Sequence, residues 1–143
     1  MFRCGNDFRS VQYLQIAVPT QIRSVLLAED QALTRRAIQG VLLEMGFVVR
    51  AACDGTEGCA LIDEMKDACP QLLITDIDMP GCDGEELARY ARQHCDQIKV
   101  LFMSGAPQPG LLELIATDAN ARLIGKPFNP AALLAVLKDL GVA

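Results

Sequence analysis

Aromatic residues and positive charge are scarce in this chain. Of its 143 residues only 5% are aromatic and none is Trp, whereas 51% are hydrophobic, so we expect a core of aliphatic side chains. The 18 Asp and Glu residues outnumber the 13 Lys and Arg residues, which gives a net charge of −5. A nucleic-acid surface needs clustered Lys and Arg to displace counterions, so this balance argues against nucleic-acid binding. The length suits one domain with a substantial core.

Metal-binding cysteine patterns and targeting segments are also missing. The N-terminus lacks the basic, apolar and cleavage regions of a signal peptide, and no apolar run approaches the roughly 20 residues of a membrane helix. We therefore predict a cytoplasmic protein without membrane contact. The cysteines form neither a CxxC pair nor a Cys/His metal spacing, and we expect reduced thiols, with a redox role for Cys82 as a secondary alternative. The six cysteines are Cys4, Cys53, Cys59, Cys69, Cys82 and Cys95.

Strand-like and helix-like segments alternate from Ser24 onward. Short aliphatic runs, typical of buried parallel strands, are followed by segments with helical spacing. The first predicted helix carries apolar residues at every fourth position and ends at Gly46. These residues are Leu33, Ala37, Val41 and Met45. Five strand–helix pairs predict an α/β fold, a doubly wound five-stranded parallel sheet with five helices in the flavodoxin-like order 2-1-3-4-5.

Local signals mark the start of helices and of the domain. The Asp-x-x-Glu segments at 54–57 and 83–86 have the spacing of capping boxes. Residues 1–22 are mixed in character and are broken by Pro19, so we interpret them as an N-terminal extension that is partly disordered. Residues 23–143 form the predicted domain.

Polar residues stand where four of the hydrophobic runs end. They are Asp30, Asp76, Ser104 and Lys126. Ligands of parallel sheets bind beyond the carboxyl ends of the strands, so we expect these side chains to converge. Each has an ordinary alternative when taken alone, such as a helix cap for Asp30, but four at one edge favour a site. Two carboxylates, a hydroxyl and an ammonium suit a divalent cation and a phosphoryl group.

The chain resembles the response-regulator receiver domains of two-component signalling over about residues 23–143. Each motif alone is weakly specific, whereas the set in order and at suitable spacing is specific. The motifs are Leu27-Ala28-Glu29-Asp30, Thr75-Asp76-Ile77-Asp78-Met79-Pro80-Gly81, Met103-Ser104-Gly105 and Lys126-Pro127-Phe128.

This resemblance implies a phosphoacceptor switch rather than an enzyme, with at most self-catalysed phosphotransfer and autodephosphorylation. Asp76 would take a phosphoryl group from a phosphohistidine, while Ser104 and Lys126 contact the phosphoryl oxygens. Mg²⁺, or Mn²⁺, would neutralise the transferred charge. Its implied ligands are Asp30, Asp76, the backbone carbonyl of Asp78 and, through water, Glu29. Gly105 belongs to the serine motif, and a cis peptide before Pro127 would aim Lys126.

Two positions depart from the family pattern. Leu123 stands where many receivers carry an aromatic residue that couples phosphorylation to the output surface. Asp78 adds a carboxylate two residues after the nucleophile, and its charge would repel incoming anions. We expect Asp78→Asn to alter the lifetime of the acyl phosphate.

Several functional alternatives remain at this point. We expect a stand-alone receiver, because no further domain follows Ala143, and a receiver excised from a hybrid kinase or larger regulator is the second possibility. A phosphate-independent scaffold is a third. A phosphatase of the haloacid-dehalogenase type would use Asp76 and Asp78 as its Asp-x-Asp motif, with Asp78 as general acid/base. The acidic pair Glu29-Asp30 precedes that motif, which fits such phosphatases poorly.

The resemblance also implies partners. The phosphoryl donor would be a sensor histidine kinase or a histidine phosphotransfer protein. A downstream protein would bind the face formed by helix 4, strand 5 and helix 5. Leu111, Leu112 and Leu114 cannot all point inward, so we expect a partner or homodimer contact there, with packing against the N-terminal extension as the competing explanation.

Overall fold

The computed structural model describes residues 23–106 and 109–143, which form a parallel sheet flanked by helices. The strands are β1 (Ser24–Ala28), β2 (Val48–Ala52), β3 (Leu72–Asp76), β4 (Lys99–Ser104) and β5 (Ala121–Gly125). The helices are α1 (Ala32–Glu44), α2 (Gly55–Met65), α3 (Gly84–His94), α4 (Pro109–Ala116) and α5 (Pro130–Leu140). The sheet order is β2-β1-β3-β4-β5, which confirms the predicted fold.

Each face of the sheet carries its own apolar core. Successive residues of a strand point to opposite faces. Accordingly, Val25 and Leu27 of β1 pack towards α1 and α5, whereas Leu26 and Ala28 pack towards α2, α3 and α4. β3 is buried along its whole length, so its last residue, Asp76, is held firmly at the carboxyl edge of the sheet.

The apolar face predicted for α1 is wrong at its N-terminal end. Leu33 is 82% exposed and Ala37 is exposed, whereas Ile38 and Leu42 are the buried residues. A helix turns about 100° per residue, so positions four apart drift by about 40° with each step. The stripe therefore begins on the solvent side at Leu33 and reaches the core only at Val41 and Met45, which are partly buried.

The capping signals predict the helix starts well. Asp83 accepts a hydrogen bond from the Glu86 amide, and the Glu86 side chain accepts one from the Asp83 amide, which completes a capping box on α3. On α2, Asp54 caps Glu57 in the expected way, but the Glu57 side chain bonds the amide of Cys53 instead. Both helices therefore begin where the sequence indicates.

The prediction of reduced thiols is wrong for one cysteine pair. Cys69 and Cys95 form a disulfide with a Cα–Cα distance of 5.8 Å. Cys69 precedes β3 and Cys95 follows α3, 26 residues later, so the sheet brings them together at its amino edge. Cys53, Cys59 and Cys82 are free.

Two other predictions concern the N-terminal extension and membrane-spanning helices. The predicted extension, residues 1–22, lies outside the described residues. Within residues 23–106 and 109–143, none of the helices has the length and apolar character needed to cross a bilayer.

Candidate functional site

Three carboxylates meet at the carboxyl edge of the sheet. Glu29 and Asp30 directly follow β1, Asp76 ends β3, and each offers an oxygen within 4.8 Å of the others. Glu29 is fully buried and Asp76 is 9% exposed, whereas Asp30 faces solvent. Neighbouring carboxylates repel one another unless cations lie among them, and a cluster of oxygen donors open to water on one side suits a hard divalent cation.

Lys126 stands against this cluster. Its Nζ donates hydrogen bonds to Glu29 Oε1 at 2.7 Å and to Asp76 Oδ2 at 3.1 Å. Its backbone amide donates to the Ser104 carbonyl at 2.7 Å, which anchors the end of β5 to the end of β4. The peptide between Lys126 and Pro127 is cis, as the family resemblance implies. The lysine thus joins the ends of four strands, β1, β3, β4 and β5.

The charges of the cluster shift one another's protonation. Burial raises the pKa of Glu29, and the hydrogen bonds from Lys126 and from the Gln31 amide offset only part of that rise. Burial alone would lower the pKa of Lys126, but its bonds to Glu29 and Asp76 outweigh that effect and raise the pKa. Lys126 is therefore a permanent cation at neutral pH.

Ser104 ends β4 at the same edge, yet its hydroxyl bonds its own loop. Ser104 Oγ donates to the Ala106 carbonyl and accepts from the Ala106 amide at 3.1 Å. Asp76 lies opposite Met103, the residue before Ser104, in the pairing of β3 with β4. The structure therefore gathers Asp30, Asp76 and Lys126, together with Glu29, while the Ser104 hydroxyl is engaged elsewhere.

The four positions predicted to modulate the site differ in their surroundings. Asp78 is exposed and lies outside the carboxylate cluster. Leu123 is half-buried, pairs with Phe102 of β4 and packs on the core beneath α3 and α4. Gly105 is exposed with open space around it, and Pro127 follows Lys126 in the loop before α5.

Two further residues contact the backbone of the site, and neither was predicted from the sequence as a site residue. Gly84 begins α3, and a Cβ there would lie 2.2 Å from the carbonyl oxygen of Asp76. Its amide donates to the Ile77 carbonyl at 2.8 Å, so the helix start rests directly on the backbone of Asp76. Arg35 of α1 donates to the Glu29 carbonyl at 2.9 Å. Gly84 lies within a capping segment, which was its one signal, whereas an arginine on an amphipathic helix gives none.

The sheet order and the acidic edge together define a class of protein. It is the class of flavodoxin-like domains with a carboxylate and lysine site beyond the carboxyl ends of the strands. The chain belongs to the response regulator receiver domain family, whose family model matches residues 25–138.

Similar proteins include single-domain and multidomain members. The response regulator receiver protein CpdR of Brucella abortus is 29% identical over 122 residues, covering 85% of this chain and 99% of CpdR. The sensor kinase CckA of the same species is 28% identical over 117 residues, covering 82% of this chain but 12% of the kinase. The crystal structure of chemotaxis protein CheY4 of Vibrio cholerae has a TM-score of 0.71 and 26% identity, covering 84% of this chain and 99% of that one.

Proposed function

We propose that the protein is a phosphoacceptor switch of two-component signalling in which Asp76 receives a phosphoryl group from a phosphohistidine. The observation that best supports this proposal is the position of Lys126, whose ammonium contacts both Glu29 and Asp76 within a cluster of three carboxylates. Phosphoryl transfer depends mainly on positioning and on neutralising the charge of the transferred oxygens. A lysine held against Asp76 supplies such a charge beside the group that would be phosphorylated.

The donor set fits a divalent metal ion. Asp30, Asp76, the backbone carbonyl of Asp78 and, through water, Glu29 would hold Mg²⁺ or Mn²⁺. Magnesium keeps several waters and uses few protein carboxylates, and the exposed side of Asp30 leaves room for such waters. The ion would neutralise charge on the phosphoryl oxygens.

The chemical step belongs to Asp76. A carboxylate oxygen of Asp76 attacks phosphorus, the P–N bond of the phosphohistidine breaks, and its electron pair returns to the imidazole ring. Lys126 then exchanges part of its contact with Asp76 for a phosphoryl oxygen while it keeps Glu29. Ser104 must release Ala106 before its hydroxyl can donate to the phosphoryl group, so we expect the contact between Ser104 and Ala106 to open on phosphorylation.

Acetyl phosphate, with Mg²⁺, tests the acceptor directly. We expect intact-mass spectrometry to show one added phosphoryl group on the wild type, none on Asp76→Asn, and none on the wild type with EDTA. Asp67→Asn is the matched control, because Asp67 is an exposed carboxylate that does not belong to the cluster. Phosphorylation of Asp76→Asn to the wild-type level would overturn the assignment.

The phosphatase alternative makes a different prediction. It needs Asp78 beside the phosphoryl group as general acid/base, whereas Asp78 is exposed and outside the cluster. We therefore expect no sustained turnover of phosphate monoesters beyond the single labile group on Asp76. Rapid multiple turnover that is lost in Asp78→Asn would favour the phosphatase.

The proposed setting is a cytoplasmic relay. A sensor histidine kinase or a histidine phosphotransfer protein would supply the phosphoryl group, and residues 23–143 would form the receiver unit, with residues 1–22 as an extension. The chain would act through protein contacts rather than as an enzyme with its own substrate.

The face formed by α4, β5 and α5 is our candidate for the downstream contact. Leu111 is buried, whereas Leu112 is 49% exposed and Leu114 is 62% exposed. Exposed leucines on one short helix favour a partner or a second copy of the chain. Sedimentation with acetyl phosphate and Mg²⁺ tests the homodimer: the wild type should associate and Leu112→Glu/Leu114→Glu should not. Leu43→Glu, at an exposed leucine of α1, should associate like the wild type.

A further inference from the structure

Two free thiols touch on the side of the sheet that carries α2 and α3. Cys59 lies on α2, Cys82 lies in the β3–α3 loop directly before the cap of α3, and their sulfur atoms are 3.8 Å apart. Both are partly buried and neither belongs to the carboxylate cluster. The sulfurs are therefore in van der Waals contact although 23 positions separate the residues.

Close backbone packing holds this contact in place. Gly55 lies one helical turn before Cys59, and a Cβ there would lie 1.9 Å from the carbonyl oxygen of Cys82. One turn along the same face, a Cβ on Gly58 would meet Leu87 of α3 at 2.8 Å. Because these two glycines have no side chain, the backbone of α2 can approach the β3–α3 loop and α3 closely. This close approach brings the two sulfurs into contact.

We propose that Cys59 and Cys82 form an oxidation site that a hydroperoxide converts into a disulfide linking α2 to the β3–α3 loop. The sulfur of Cys82 attacks the peroxide, so an S–O bond forms, the O–O bond breaks and hydroxide leaves as water. The sulfur of Cys59 then attacks that of Cys82, so the S–S bond forms, the S–O bond breaks, and the leaving hydroxide takes the Cys59 proton and departs as a second water. The balance is two thiols and one hydrogen peroxide to one disulfide and two waters.

The surroundings of the two sulfurs assign their roles. Burial, reinforced by the neighbouring Cys82 thiol, raises the pKa of Cys59 to about 12. Burial also raises the pKa of Cys82, but the hydrogen bond from Cys59 opposes that rise, so Cys82 is the better nucleophile. The charged groups around the pair are Asp63, Asp83, Glu86 and Arg89. Because both thiols are mostly protonated at neutral pH, the reaction quickens as pH rises.

The disulfide would restrain the segment between Asp76 and Cys82. Cys82 is four residues after Asp78 and six after Asp76, and the segment between them joins the acidic edge to α3. A bond to α2 would hold that segment at its far end. Formation of the disulfide itself does not depend on the phosphoacceptor role of Asp76.

Peptide mapping of the full chain tests the site. The protein is treated with hydrogen peroxide at pH 8 to 9, remaining thiols are blocked with N-ethylmaleimide, and the sample is digested with trypsin without reductant. Cleavage after Arg50, Lys66 and Arg89 places Cys59 in peptide 51–66 and Cys82 in peptide 67–89. Peptide 67–89 is already joined to peptide 93–99 by the Cys69–Cys95 disulfide. We expect peroxide to add peptide 51–66 to this pair through Cys59 and Cys82, and dithiothreitol to release all three peptides.

Three variants make the result decisive. Cys59→Ser and Cys82→Ser should each abolish the cross-link, whereas Cys53→Ser, at an exposed cysteine in the same peptide as Cys59, should keep it. Circular dichroism checks that each variant is folded. Maleimide labelling of both Cys59 and Cys82 after peroxide treatment of the wild type would overturn the proposal, as would irreversible oxidation of Cys82 without a cross-link.

Discussion

Lys126 balances a carboxylate that has no access to water. Glu29 is fully buried, and the Lys126 side chain is 20% exposed, so their contact is screened less than a surface ion pair. We expect Lys126→Met to lower the free energy of unfolding at pH 7 by about 1–3 kcal/mol, measured by urea denaturation without Mg²⁺. Lys66→Met, at an exposed lysine, should change it by less than about 0.5 kcal/mol.

The free energy of unfolding that is lost in Lys126→Met should depend on pH. Burial raises the pKa of Glu29 and Lys126 lowers it, so the pKa rises further in Lys126→Met. A carboxyl whose pKa is higher in the folded state than in the unfolded state stabilises the fold as pH falls and destabilises it as pH rises. The cost of Lys126→Met should therefore be smaller at about pH 5 than at about pH 7. An equal cost at both values would contradict the charge-based explanation.

We expect Asp78 to affect the approach of anions more than the architecture of the site. Its carboxylate is exposed and lies outside the metal cluster, two residues after Asp76. Removing its charge should speed phosphorylation by acetyl phosphate, by about two- to tenfold at low salt, and change the lifetime of the acyl phosphate. Rates of gain and decay, followed by intact mass, check this. Asp78→Asn with unchanged rates would show that the carboxylate is too well screened to matter.

At the level of elements, the start of α3 constrains the position of Asp76. A Cβ on Gly84 would lie 2.2 Å from the Asp76 carbonyl oxygen, and both groups belong to the backbone, so one element has to move. We expect Gly84→Ala to lower the free energy of unfolding by about 1–3 kcal/mol and to slow phosphorylation of Asp76. Urea denaturation and acetyl phosphate kinetics measure the two effects.

Gly40 provides the control for this substitution. It lies within α1, is exposed, and a Cβ there would meet nothing within 4 Å. Gly40→Ala should therefore stabilise the protein by about 0.5–1 kcal/mol, because alanine loses less backbone entropy in a helix. If Gly84→Ala stabilised the protein as Gly40→Ala does, the close contact with Asp76 would not be a constraint.

The elements also show which features a sequence can predict. Strand ends are encoded locally, by an aliphatic run followed by a polar residue, and parallel topology brings those ends together, so the meeting of Asp30, Asp76 and Lys126 was predictable. The contact of Arg35 with the Glu29 carbonyl depends on where α1 docks, and no local pattern specifies that. The position of Ser104 at the end of β4 was predictable, but the hydrogen-bond partner of its hydroxyl was not. A serine can bond the backbone of its own loop, as Ser104 does with Ala106.

Across the whole molecule, the site and the covalent cross-link lie at opposite edges of the sheet. Cys69 lies before β3 and Cys95 before β4, hence at the amino ends of strands whose carboxyl ends carry Asp76 and Ser104. The strands between them are almost fully buried. Stability gained from the disulfide should thus be separable from chemistry at the acidic edge.

Reduction of Cys69–Cys95 tests that separation. Closing a loop of 26 residues restricts the unfolded chain and should contribute about 3 kcal/mol. In Cys59→Ser, where the Cys59–Cys82 bond cannot form, dithiothreitol should lower the melting temperature, while the rate of phosphorylation by acetyl phosphate stays unchanged. Cys59→Ser/Cys69→Ala/Cys95→Ala should melt at one temperature with or without the reductant. If reduction of Cys69–Cys95 slowed phosphorylation, the amino edge of the sheet would influence Asp76 through the strands, and the expected separation would be wrong.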